Sequence, residues 1–293
     1  MKPATSLRLL LLMAAFVLAT LPAARAAESG KRVVTVGGDV TEIVFALGEG
    51  ERVVGRDTTS TFPPEAGRVP DVGYMRQLGA EGVLSLRPDV VIASAGAGPA
   101  EVLKQIESAG VRVVRVPDPH SVDGLIQKVT AIADALDAKA AGAALTAKLQ
   151  QDLTKARSEV AGMPGHPRVL FIITAGSGPP MAAGTGTAAD ALIKLAGGEN
   201  VFAAHTGYKP ISLEAAAAAS PEAIGLMDQT LREMGGVDAV ASNAALRLTP
   251  AAKEKRIFGR EGSYLLSFGP RLPQALSDFA HAIREKAAEK GAL

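Results

Sequence analysis

The chain has 293 residues, with 31 Lys and Arg against 30 Asp and Glu, four histidines, three tyrosines, and neither cysteine nor tryptophan. So even a charge balance argues against a nucleic-acid or acidic-membrane surface as the partner. Without cysteine there are no disulfides and no lipid-attachment residue, and without tryptophan a ligand must be gripped by aliphatic, Met and Gly-backbone surfaces.

Lys2 and Arg8 precede an apolar run over 9–21, and Ala24-Arg25-Ala26 places small residues at cleavage spacing. Residues 1–27 therefore read as a secretory signal peptide, its apolar run too short for a membrane span. The mature chain of about 266 residues, with 28 basic and 30 acidic side chains, is expected in a bacterial periplasm as a released, soluble protein. That length suits two domains.

Val33-Val34-Thr35-Val36 is a short β-branched run closed by Gly37-Gly38, which predicts a buried strand and a turn. Asp39 or Thr41 is then positioned to cap a helix carrying Ile43, Val44 and Leu47 and ending at Gly48. Helices are predicted over 81–86 and 101–108, with strands at 90–92 and 111–114. Strands alternating with helices across short Gly/Pro turns indicate a parallel α/β sheet over 28–137. Residues 121–161 are helical almost throughout, with a break at Asp137. The second segment carries Ala141, Leu145, Leu149, Leu153 and Val160 on one stripe, and a bridging helix over 138–162 is expected to extend about 36 Å. A second α/β lobe over 163–293 opens with a strand at 168–174, a Gly/Pro-rich loop and a helix at 189–196.

The two lobes share a pattern. Glu81 stands seven residues before Pro88-Asp89, and Glu214 seven before Pro221-Glu222. Each proline precedes an apolar stretch, and each glutamate follows a Gly-Tyr pair, Gly73-Tyr74 or Gly207-Tyr208. The repeated order indicates a duplicated unit. Duplicated lobes joined by one stiff helix predict a small hinge motion rather than wide closure.

Catalytic signatures are missing. His120, His166, His205 and His281 form no metal-ligand pair at helical or loop spacing, Gly37-Gly38-Asp39 is not a dinucleotide fingerprint, and no phosphate-loop lysine or nucleophile elbow is present. A zinc or manganese carrier would need several converging His and acidic ligands.

Tyr74, between Gly73 and Met75-Arg76, is by its residues alone a rim packing side chain, a stacking platform or a metal ligand. Five blocks then resemble the haem-binding periplasmic proteins of bacterial haem ABC importers, and the likeness covers nearly all of the mature chain. They are Val-Gly-Tyr-Met-Arg-Gln-Leu at 72–78, Pro-Met-Ala-Ala-Gly at 180–184, Gly-Tyr-Lys-Pro-Ile-Ser at 207–212, Asp-Thr-Thr-Ser at 57–60 and Ser-Phe-Gly-Pro-Arg at 267–271. The resemblance implies a class III periplasmic binding protein fold, two parallel-sheet α/β lobes joined by one long backbone helix. It implies a monomer that makes no covalent change to its ligand and carries ferric haem b from an outer-membrane haem receptor system to the permease dimer of an importer.

In that family a tyrosine ligates the haem iron, and Tyr74 matches its position. A phenolate is a hard anionic donor suited to ferric iron. An ordinary phenol ionises near pH 10, so ligation calls on the iron and a nearby cation, for which Arg76 is placed two residues on. Tyr208 is the symmetric candidate, which the residues cannot rank below Tyr74; the resemblance gives it a wall or supporting role. Lys209, Arg56 and Arg247 are candidate propionate partners, and Met75 and Met181 are candidate faces for the macrocycle. Glu81 and Glu214 match the glutamates that dock such proteins on permease arginines. One departure concerns the loop 175–179, Ala-Gly-Ser-Gly-Pro, which lacks the histidine some members carry there and so implies one haem. The rival within the same fold is a ferric-siderophore or cobalamin carrier.

Overall fold

The computed structural model describes residues 31–174, 180–244 and 246–285. The expected signal peptide and the loop 175–179 lie outside the described residues. The first lobe is built on β1 (Val33–Val36), β2 (Val53–Arg56), β3 (Val90–Ser94) and β4 (Arg112–Val116), all parallel in the order β2-β1-β3-β4. Its helices are α1 (Gly38–Ala46), α2 (Ala80–Ser85) and α3 (Ala100–Ser108). Gly37, not Asp39 or Thr41, is the N-cap of α1. Those two side chains are buried and used elsewhere: Asp39 meets Lys128, and the Thr41 hydroxyl lies 2.7 Å from Thr35 Oγ1 and 2.6 Å from Ser60 Oγ.

Two helices follow, α4 (Val122–Ala135) and α5 (Lys139–Gly162), with Asp137 between them at φ 59°. The 24 residues of α5 span about 36 Å. Leu149, Leu153, Ala156 and Val160 form its buried stripe. Gly142 lets it close on α4, because a Cβ there would come within 2.5 Å of the Ala133 methyl.

The second lobe contains β5 (Arg168–Thr174), β6 (Met181–Ala183), β7 (Glu199–Asn200), β8 (Tyr208–Pro210), β9 (Ala223–Met227) and β10 (Ile257–Arg260). Its helices are α6 (Ala188–Leu195), α7 (Leu213–Ala218), α8 (Asp228–Glu233), α9 (Gly236–Ser242), α10 (Pro250–Lys253), α11 (Gly262–Leu266) and α12 (Leu272–Ala282). β7, β9 and β10 join β5 in a parallel arrangement that repeats the first lobe, β7 flanking β5 as β2 flanks β1. The sheet also carries an antiparallel edge, β5-β6-β8, that a purely parallel expectation omits. The six residues between β5 and β6 are too few for the helical crossover that parallel strands require, and the two strands pair antiparallel.

The duplication extends to side chains. Arg32, before β1, donates its backbone N–H to the Asp89 carboxylate at 2.6 Å and its guanidinium to the carbonyl oxygens of Leu86 and Arg87. Arg168, opening β5, does the same to the Glu222 carboxylate at 2.8 Å and the Ala219 carbonyl oxygen. Both turns pass through a left-handed residue, Arg87 or Ser220. The Pro-Asp and Pro-Glu pairs thus mark one structural joint used twice.

Alternation along the strands divides the core. Val33 of β1 and Val169 and Phe171 of β5 face a core shared with α4, α5 and α12, whereas Val34 and Leu170 face separate cores on the far side of each sheet. One apolar interior runs behind both lobes, so opening the cleft widely would expose it.

Candidate functional site

The carboxyl ends of the parallel strands of both lobes face each other across a cleft of about 830 Å³, within the range of small-molecule sites. β1 delivers Gly37 to Asp39, β3 delivers Ser94 and Gly96, β4 leads to Asp118 and His120, β9 ends at Met227 and Asp228, and β10 leads to Glu261 and Ser263. Ligand sites at strand carboxyl ends are the rule for open α/β sheets.

Tyr74 sits on the segment from β2 to α2, pinned along its backbone. Thr58 N–H donates to the Gly73 carbonyl at 3.0 Å, Gly98 N–H to the Met75 carbonyl at 2.8 Å, and Gln77 N–H to the Tyr74 carbonyl at 2.8 Å. Gly73, at φ 99°, makes the turn, and its N–H donates to Asp71 at 2.7 Å. Asp57 anchors the neighbouring turn, accepting from Gly37 N, Thr59 N, Thr59 Oγ1 and Ser60 Oγ at 2.6–2.9 Å. On this braced backbone the Tyr74 side chain is 43% exposed, faces the cleft, and has no hydrogen-bond partner for its hydroxyl among the described residues.

Tyr208 faces the cleft from β8 in a different state. Burial pushes its phenol above the ordinary value, while hydrogen bonds with Thr187 and the Ala189 backbone and the charge of Arg76 pull the other way. A desolvated phenol of this kind holds its proton. Arg76 is therefore near enough across the cleft for Tyr208 to feel its charge.

Of the eight ligand-contact candidates, the cleft brings together Tyr74, Met75, Arg76 and Tyr208. The others stand elsewhere. Arg56 donates to the Asp71 carboxylate and the Asp57 carbonyl oxygen, both at 3.1 Å, and so braces the Tyr74 segment from behind. Met181 is half-buried on β6, opposite Pro210. Lys209 is exposed on β8, and Arg247 is exposed between α9 and α10. Glu81 and Glu214 occupy the second position of α2 and α7, both exposed.

The cleft also contains groups the sequence did not flag, among them Asp118, Asp228, Gln229, Arg232 and Glu261. Gln229 and Arg232 lie on α8, a one-and-a-half-turn helix with no readable periodicity; its position directly after the apolar stretch following Pro221 was the available signal.

Beneath the cleft two ion networks tie the lobes. Lys128, fully buried on α4, donates all three ammonium protons: to Asp39 at 2.7 Å, to Asp118 at 2.9 Å, and across the lobes to the Ser267 carbonyl oxygen at 2.8 Å. Burial pushes the Asp39 carboxyl up, against the lowering pull of the ammonium. Arg271 of the second lobe grips the buried Glu42 of the first with both Nε and Nη2, lies 3.5 Å from Glu261, and stacks 4.1 Å over the Phe62 ring. His120 Nδ1 lies 3.7 Å from Asp118, and its ring packs 5.8 Å from Phe268. Among the described residues no group of three or more His, Cys, Asp or Glu side chains is placed to hold a metal ion.

The periplasmic binding protein family matches residues 33–262. This chain belongs to that family. Among its structural relatives, the periplasmic haem-binding protein BhuT, solved with two haems, is 42% identical with a TM-score of 0.84, over 86% of this chain and 97% of BhuT. The apo periplasmic haem-binding protein RhuT from Roseiflexus sp. RS-1 is 41% identical with a TM-score of 0.83, over 87% and 98% of the two chains. A vitamin B12-binding protein of Salmonella paratyphi A is 30% identical over 66% of this chain and 71% of its own length. The fold is that of a class III periplasmic binding protein, with the backbone helix α5 joining its two lobes.

Proposed function

We propose that this periplasmic binding protein carries ferric haem in the interlobe cleft, with the Tyr74 phenolate on the iron, and delivers it to an ABC importer. The observation that carries the reading is the contrast between the cleft's two tyrosines. Tyr74 offers an exposed, unpartnered hydroxyl from a backbone pinned on both sides, whereas Tyr208 is half-buried and that burial pushes its phenol up. Arg76 and Arg232, exposed at the mouth on opposite lobes, are the cations available to the two propionates. Met75 and Met227 supply soft faces to the macrocycle. The two relatives above 40% identity bind haem by their descriptions, which favours haem over cobalamin.

The test is a titration of purified protein with haemin. A Soret band with the charge-transfer features of phenolate-bound high-spin iron, saturating at one haem per chain, is the expected result. Saturation at two would replace the single-haem reading, and preferential binding of cyanocobalamin or a ferric siderophore would replace haem altogether.

Glu81 and Glu214, exposed at equivalent places on the two lobes, suit docking on a permease dimer, since paired anions can meet a two-fold receptor. Replacing both by alanine is expected to abolish haem uptake by importer-containing proteoliposomes while haemin affinity stays within about twofold, because neither touches the cleft. Unchanged uptake would remove docking from both residues.

A further inference from the structure

The charges around the cleft are unevenly arranged. Asp39, Asp118, Asp228 and Glu261 line it, against the two arginines Arg76 and Arg232. The arginines are exposed at the mouth, whereas Asp39 is buried, Asp118 and Asp228 are half-buried, and the Glu261 side chain is 45% exposed. The cations beneath cannot serve an arriving carboxylate. Lys128 has spent its three protons on Asp39, Asp118 and Ser267, and Arg271 is committed to Glu42 and Glu261. His120, also on the lining, has its Nδ1 3.7 Å from Asp118. The Glu261 carboxylate is itself fixed, accepting from Ser263 N at 2.8 Å and Tyr264 N at 2.7 Å, so it cannot swing away.

A carboxylate carried inward would lose water and meet four carboxylates, with neutral donors such as Thr59 and Ser94 but no uncommitted Lys or Arg beside them among the described lining residues, which is costly for an unpaired charge. At the mouth the same group would meet an arginine and keep part of its hydration. We infer that the cleft selects tetrapyrroles whose carboxylates are confined to one edge, taking them with the uncharged edge inward and the propionates at Arg76 and Arg232, and rejects those with carboxylates on opposite edges. The acidic floor is thus a specificity device acting by repulsion. This rests on the haem-carrier reading above, and the test separates the two.

Three iron porphyrins of nearly equal size decide it: protohaem, mesohaem with ethyl groups in place of the vinyls, and coprohaem III with propionates there. Protohaem and mesohaem are expected to bind within about threefold of each other, and coprohaem about a hundredfold more weakly. Asp228→Asn, which keeps the shape and removes one charge from a half-buried lining residue, should narrow the protohaem-to-coprohaem ratio by about tenfold. Arg232→Gln should instead weaken protohaem and mesohaem alike, without favouring coprohaem. Equal affinity for protohaem and coprohaem in the native protein would overturn the inference while leaving haem carriage standing, as would a ratio indifferent to Asp228→Asn. Failure of all three porphyrins to bind would overturn both.

Discussion

Replacing Tyr74 by alanine is expected to lower haemin affinity by more than about a hundredfold, beyond the 10–100-fold typical of residues that only orient a metal ligand. The phenolate charge-transfer features should vanish with it. Tyr74→Phe tells ligation from stacking: it keeps the ring on the braced segment and removes only the oxygen. A ligand oxygen predicts that phenylalanine behaves as alanine does, whereas a stacking platform predicts near-native affinity. Tyr208→Phe is expected to cost less than about tenfold and leave the spectrum unchanged, because burial pushes its phenol up and so disfavours the phenolate that would bind iron. The opposite ranking of the two variants would move the iron to the second lobe. Equilibrium titrations with haemin at one pH and ionic strength, read at the Soret maximum, measure all three.

The architecture was legible because its signals are local. β-Branched runs ended by glycine, a single apolar stripe on α5 and a break at Asp137 correspond to β1, the bridging helix and the φ 59° joint. The Pro-Asp and Pro-Glu joints were readable because each satisfies the backbone N–H of an arginine at the start of its lobe's first strand, Arg32 just before β1 and Arg168 opening β5. What escaped was non-local or short. The β6–β8 edge depends on a pairing across 25 or more residues of chain, and α8 through α11 each have too few residues to show a period. At the site, Tyr74 and Arg76 stood out through spacing, whereas Arg232 and the acidic floor are assembled only by folding. Asp39 shows the limit clearly. By position it reads as a helix cap, and only the structure brings it to Lys128, 89 residues away.

Lys128→Met is expected to destabilise the protein by about 3–5 kcal/mol, the usual consequence of removing one partner from a buried ion pair. The ammonium is fully buried and is bonded to both lobes, so methionine would leave the 3%-exposed Asp39 carboxylate without a cation and release Ser267. A methionine of similar length fills the space, which sets the charge effect apart from a cavity effect. The pH dependence carries the sharper sign. Burial already raises the Asp39 carboxyl, and loss of Lys128 removes the group that lowers it, so the folded variant should bind a proton that the unfolded chain has released. Its stability is therefore expected to rise as the pH falls from neutral toward the ordinary carboxylate range, narrowing the gap to the native protein. Lys128→Met with Asp39→Asn should recover part of the loss at neutral pH and flatten that dependence, since no buried charge is then left unpaired at position 39. Urea unfolding of the native protein and both variants at several pH values measures this. A gap between Lys128→Met and the native protein that stays constant across this pH range would show that Lys128 contributes through packing alone.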